Sequence, residues 1–279
     1  MNLFIVILSI AFLQVWGAAN PLHKDNWFAV WADWCEALVK GNSTFAFIFA
    51  VLLPFFSIVA VQGFLLWFSP WLLLPLGMLV LLYSFGRGEF ADIVSEYTKA
   101  CYIEDWPSAL ERARRLGVDV DNLADNDWPT LHKHVLDEAG YRGFERMFAI
   151  LFWCFSFGPA VAFLYRLNFL YSHNLRPENP QAEKLLWVLE WPAVRLLGLS
   201  FALTGNFVGC FQRWKECFFC ARRTTVAVLS PLILGALLVD DSMTQTDEVT
   251  RKELNLLTSL YTRTLWLWLA AAAVLIIVV

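Results

Sequence analysis

The sequence predicts an all-α, polytopic helical membrane protein, with four to six membrane segments and a helical cytoplasmic insertion. Two observations carry that expectation. Residues 1–19, 45–66, 69–86 and 265–279 are almost free of charge, whereas residues 87–146 hold about twenty charged side chains. A water-soluble core has no use for that many consecutive apolar residues, but a bilayer does. Composition agrees: 58% of the 279 residues are hydrophobic and 16% charged, against about one quarter charged in a typical soluble domain.

Residues 2–19 form the first expected span. Gly17-Ala18-Ala19 offers small residues like those of a signal-peptide cleavage site, but the segment lacks a basic n-region and reads as a retained anchor. Residues 20–44 are amphipathic. Trp27, Trp31 and Trp34 share roughly one helical face, and Asp25, Asp33, Glu36 and Lys40 break up the rest. A helix lying in the membrane interface fits this pattern, and so do tryptophans in core contacts. Asn42-Ser43-Thr44 matches a glycosylation sequon, which matters only in a secretory pathway.

Two spans follow, roughly 45–66 and 69–86. Pro54 is tolerable inside a membrane helix, and Ser69-Pro70 marks the turn between them. The block 87–143 reads as a helical aqueous domain. Glu89 to Lys99 continues the second of these spans into water. Trp106-Pro107 opens a helix that stops at Gly117, and Val118 to Asp127 is an acidic loop. Trp128-Pro129 opens a third helix reaching Ala139, with Gly140 as its stop.

Residues 144–165 are expected as one span and 171–182 as a polar loop. Residues 185–210 are apolar but interrupted by Glu190, Pro192, Arg195 and Asn206, so a span, a re-entrant helix and an interfacial helix all fit. Residues 224–239 are short for a span, and 264–279 form a terminal anchor. Three regions result: 1–86 with membrane segments and the amphipathic helix, 87–143 aqueous, and 144–279 with the remaining membrane segments. About eight Lys and Arg in the central block place it in the cytoplasm and the N-terminus across the membrane.

A net charge of −4 gives no basic face for nucleic acid. The six cysteines are scattered and resemble no disulfide framework. Cys217-x-x-Cys220 lacks the second pair that a zinc site needs, and reads as one face of an amphipathic helix. His132-Lys133-His134 is a weak metal pattern, because residues i and i+2 of a helix face apart.

Three constellations stand out as places for chemistry. Arg87 with Glu89, Asp92 and Glu96 puts acids on one helical face beside an arginine. That arrangement suits Mg²⁺ bound to a phosphate, or simply a solvated helix face. Gly158-Pro159 is followed by Tyr165-Arg166 and Asn168. Arg166 ends a span, where snorkelling explains it as well as the arginine fork for phosphate or carboxylate does. Glu190 and Arg195 flank Pro192 in an apolar stretch, ahead of Thr204-Gly205-Asn206. Charges are expensive there and need partners, either in a site or as a Glu–Arg pair closing a helix bend.

These segments carry a resemblance. Gly158-Pro159 with Phe163-Leu164-Tyr165-Arg166, Val188 through Leu196, and Ala202 through Asn206 resemble AmpE, a bacterial inner-membrane protein linked to β-lactamase induction. The resemblance covers most of the chain. It implies a multi-pass inner-membrane protein that modulates the cell-wall response to β-lactams and takes a phosphorylated or cell-wall-derived small molecule.

The same segments look distantly like the CobD/CbiB membrane enzymes of cobalamin synthesis, which form an amide with ATP and Mg²⁺. Arg166 stands where those enzymes have lysine. Leu170, Tyr171 and Ser172 stand where they have a paired aspartate. The expected site is a pocket for a small anion at the cytoplasmic membrane edge, lined by Arg87, Glu89, Glu96, Tyr165, Arg166, Asn168, Glu190 and Arg195. A regulator and an ATP- and Mg²⁺-dependent enzyme both remain open. So does association with further copies of the chain.

Overall fold

The computed structural model describes residues 2–16, 25–39, 42–86, 90–121, 123–218, 220, 223–238 and 247–278. Among them it is all-α, with no strand. In chain order the helices are α1 (Asn2–Trp16), α2 (Asn26–Val39), α3 (Ser43–Phe68), α4 (Leu73–Ser84), α5 (Phe90–Tyr102), α6 (Trp106–Leu116) and α7 (Trp128–Gly143). Then come α8 (Ala149–Phe157), α9 (Pro159–Leu170), α10 (Pro180–Thr204), α11 (Phe207–Phe218), α12 (Thr225–Leu237) and α13 (Asp247–Val278).

By length and composition, two described helices are long and apolar enough to cross a membrane: α3 with 26 residues and α10 with 25. At 1.5 Å per residue each exceeds the roughly 30 Å of a hydrocarbon core. Apolar stretches at Leu3–Leu13, Pro70–Ser84 and Thr225–Leu237 are shorter. The terminal anchor expected over 264–279 falls in the second half of α13.

The chain divides into two compact units. One holds residues 1–87 and 146–193, and the other residues 88–145 and 194–279. Helix α10 contributes to both.

In the first unit, α9 packs against α3, α4 and α8, and α1 packs on α4 and α8. Close approach explains Gly77: a Cβ there would lie 2.7 Å from Ile5 Cδ1 and 3.3 Å from Pro159 Cγ. The span expected as one piece over 144–165 is broken. A π-turn at Phe144–Phe148 leads into α8, which ends at Gly158. Gly158 has φ 93°, a conformation open to glycine, and Pro159 then starts α9 in its first turn.

Helix α2 packs on α3. It buries the Phe28, Ala32 and Cys35 face and leaves Trp27 and Trp34 exposed at 43% and 53%. Trp31 lies between. Its indole N–H donates to the Ala50 carbonyl at 3.2 Å. Ala50 is four residues before Pro54, so Pro54 has no N–H to give that carbonyl. The tryptophan of α2 supplies the missing donor. At the other end, the expected 171–182 loop shrinks to residues 176–179, because Tyr171–Leu175 continues α9 as a π-turn and α10 begins at Pro180. Within it Arg176 donates to Asp33 at 2.8 Å and to Glu36 at 2.6 Å, holding this segment against α2.

In the second unit, α6 and α7 each begin at an aspartate cap followed by Trp-Pro. Asp105 accepts from the Ser108 N–H, and Asp127 from the Thr130 N–H. Gly117 ends α6 in the left-handed region, as a C-terminal glycine does. Gly140 does not end α7, which runs on to Gly143. Its bare Cα instead admits Ile233 of α12, whose Cδ1 would collide with any Cβ there. The Tyr261 hydroxyl of α13 donates to the Gly140 carbonyl. His132 points inward, 1% exposed, with its Nδ1 2.7 Å from the Tyr97 hydroxyl, while His134 is exposed.

Asp137 and Glu138 on α7 are held above the ordinary carboxylate range, chiefly by burial. A carboxyl raised on folding adds stability that is complete below its unfolded value and lost as pH climbs through the folded one. Both residues therefore favour the fold in acid and oppose it near neutrality. Glu138 is offset by the Arg142 guanidinium at 2.9 Å, which makes Asp137 the cleaner test. Asp137→Asn is expected to raise the melting temperature at pH 7, with the gain shrinking towards pH 4. Thermal unfolding of both proteins across that range measures it, and a gain that does not vary with pH contradicts the assignment.

Candidate functional site

The site grows from helix α9. Residues 165, 166 and 168 cannot share one helical face, yet Tyr165, Arg166 and Asn168 are only 0%, 4% and 0% exposed. Every residue from Tyr165 to Tyr171 is buried, so this stretch is enclosed on all sides. Each polar side chain must then find a partner inside the unit.

Tyr165 donates its hydroxyl to Glu190 Oε1 on α10 at 3.0 Å, and Glu190 is 2% exposed. The Arg166 guanidinium lies 3.6 Å from Asp25 Oδ2 and 5.7 Å over the Phe169 ring. Asn168 donates to the Ala182 carbonyl at 3.3 Å, while its Oδ1 is buried and accepts no hydrogen bond among the described residues. The network continues through α4. The Tyr83 hydroxyl donates to Asp25 Oδ1 at 3.3 Å and accepts the Trp27 indole N–H at 3.1 Å. A single helix thus ties its tyrosine to one acid, its arginine to another and its asparagine to a carbonyl.

Such a cluster can hold a guanidinium and two carboxylates out of water in fixed orientation. Arg166 is the cation within it, and a planar fork of that kind suits a carboxylate or phosphate. The Arg166–Asp25 separation of 3.6 Å is longer than a charge-assisted hydrogen bond. An incoming anion would compete with Asp25 for the guanidinium.

Four of the eight expected site residues, Tyr165, Arg166, Asn168 and Glu190, lie buried in the first unit, where Tyr165 and Glu190 touch directly. Arg87 and Glu89 lie outside the described residues. Glu96 is in the second unit on an exposed face of α5, bridging to Arg112 at 3.1 Å and Arg115 at 3.7 Å. Asp92 is exposed as well. Arg195 also belongs to the second unit. It donates to the Cys220 carbonyl at 2.8 Å, and its own carbonyl accepts the Trp214 indole at 2.8 Å.

Asp25, Tyr83 and Trp27 enter the site without having been singled out for it. Asp25 was visible as a charge interrupting an apolar face, but only long-range packing names its partner. The second unit has a cavity of 570 Å³ lined in part by Asp119, Asp127, Asp137 and Glu138. Its acids have local duties: Asp127 caps α7 and Glu138 pairs with Arg142.

Comparison with protein-family models, curated proteins and solved structures yields no match.

Proposed function

We propose that this chain is a multi-pass inner-membrane protein of the AmpE type. On this reading it binds a small anionic ligand at the α9 site and modulates the cell-wall response to β-lactams. The observation that carries the reading is Arg166, a guanidinium 4% exposed within a unit that also contains a helix of membrane length. Ionisable groups in such surroundings are expensive, and they are kept where they serve a ligand or a relay. Asp25 holds the guanidinium until a stronger anion displaces it. Tyr165 and Glu190 fix another side of α9.

The test is thermal unfolding of the detergent-purified protein with inorganic phosphate, Mg²⁺-ATP and a muropeptide, each to saturation. A ligand at one hundred times its Kd adds about 2.7 kcal/mol. A shift with one of these anions that is weakened in Tyr165→Phe supports the site. A Mg²⁺-dependent nucleotide shift accompanied by turnover moves the assignment to a CobD/CbiB-like enzyme. No shift with any anion refutes anion binding at α9.

A further inference from the structure

We propose that a groove formed by α2, α3 and α9 binds an acyl chain of a bilayer phospholipid. The groove has a volume of 450 Å³, within the range of small-molecule sites. Its walls are Trp27 and Trp31 of α2, Leu53, Pro54 and Ile58 of α3, and Phe163 of α9.

The polar groups at the walls are committed elsewhere. Trp27 donates to the Tyr83 hydroxyl at 3.1 Å and Trp31 to the Ala50 carbonyl at 3.2 Å. The Ser57 hydroxyl, which also borders the groove, donates to the Leu53 carbonyl at 2.9 Å within its own helix. Pro54 has no N–H to offer. Covering apolar walls whose polar groups are already bonded is favourable for a hydrocarbon guest. The chemistry of the walls therefore selects hydrocarbon.

The surroundings select its source. Helix α3, which provides half the walls, buries only 22% of its apolar window. Phe49, Phe56 and Phe64 along it are 47%, 59% and 59% exposed. In a bilayer, a helix of this length and exposure is solvated by lipid tails, which brings acyl chains to the groove. The inference rests on α3 lying in a bilayer. It is separate from the anion site, although a chain in the groove would touch Trp27, the first member of the Tyr83–Asp25–Arg166 network.

The experiment uses the full chain in phosphatidylglycerol/phosphatidylcholine vesicles. These carry a small fraction of phospholipid with a diazirine near the end of one acyl chain. After irradiation, adducts are located by peptide mass spectrometry. Phe163 is the diagnostic position, because it is 6% exposed yet lines the groove. Phe64, outward on α3, reports insertion.

The expected result is labelling at both positions, with the Phe163 adduct falling several-fold in the groove-filling variants Ser57→Phe and Ile58→Phe and the Phe64 adduct unchanged. Labelling at Phe64 without Phe163, or Phe163 labelling undiminished in both variants, overturns the groove while leaving α3 in the membrane. No labelling anywhere on α3 overturns the membrane placement and the groove together.

Discussion

Replacing Arg166 with methionine is expected to destabilise the protein by about 3–5 kcal/mol, the cost of removing one partner from a buried ion pair. The side chains of Arg166 and Asp25 are 5% and 16% exposed, so neither charge is well screened by water. Methionine fills most of the volume but removes the cation 3.6 Å from the Asp25 carboxylate.

The informative comparison is the double variant. Asp25→Leu alone takes away the carboxylate 3.6 Å from the guanidinium, whereas Arg166→Met with Asp25→Leu removes both charges together. Apolar replacement of a whole buried pair is often neutral or stabilising. The double variant is therefore expected to recover most of the loss, with a coupling of at least about 1 kcal/mol in the cycle. Thermal or denaturant unfolding in detergent measures all four proteins. Additive losses would mean that the two charges do not depend on each other. The same variants separate stability from function. If the double variant is stable but has lost its anion-induced shift, the pair is retained for binding and not for folding.

Local rules were legible in the sequence wherever a boundary depends on residues next to it. Asp105 with Trp106-Pro107, and Asp127 with Trp128-Pro129, mark helix starts, because cap and first-turn chemistry acts within three residues. Gly117 marks a helix end for the same reason. Gly140 shows where such reading stops. A glycine needed for close packing looks like a terminating glycine until Ile233, 93 residues later, is placed against it. The break at Gly158 was passed over because hydropathy continues through Phe157 and Val161, although Gly158-Pro159 is itself a turn-forming pair.

The candidate site divides in the same way. Tyr165, Arg166 and Asn168 draw attention as polar residues in an apolar run, and Glu190 as an acid beside a proline. The partner of Arg166 lies 141 positions earlier, and nothing in sequence spacing selects Asp25 over Asp33 or Glu36. Those two acids serve Arg176 instead.

A second large effect is expected from the tryptophan that stands in for a backbone donor. Trp31→Phe removes the indole N–H that reaches the Ala50 carbonyl at 3.2 Å. A buried acceptor left without a partner costs about 1–3 kcal/mol. Phenylalanine also alters the ring stack with Trp34, whose centroid lies 5.1 Å away, so the single variant cannot isolate the hydrogen bond. Pro54→Ala isolates it. Alanine restores an N–H at position 54, which can reach the Ala50 carbonyl one helical turn back.

With that bond available, the indole is no longer required there, whereas the contribution of the ring stack is unchanged. Trp31→Phe is therefore expected to cost about 1 kcal/mol less in the Pro54→Ala background than in the native one, a coupling that the cycle reads directly. Equal costs in the two backgrounds would show that the indole does not replace the missing donor. Proline in α3 and tryptophan in α2 would then be independent features. If the coupling appears, the proline has a structural purpose. It leaves the Ala50 carbonyl of a membrane-length helix for the neighbouring amphipathic helix, and so fixes where α2 docks. Loss of that contact is expected to loosen α2 at the end that carries Asp25 and Trp27, two members of the α9 network.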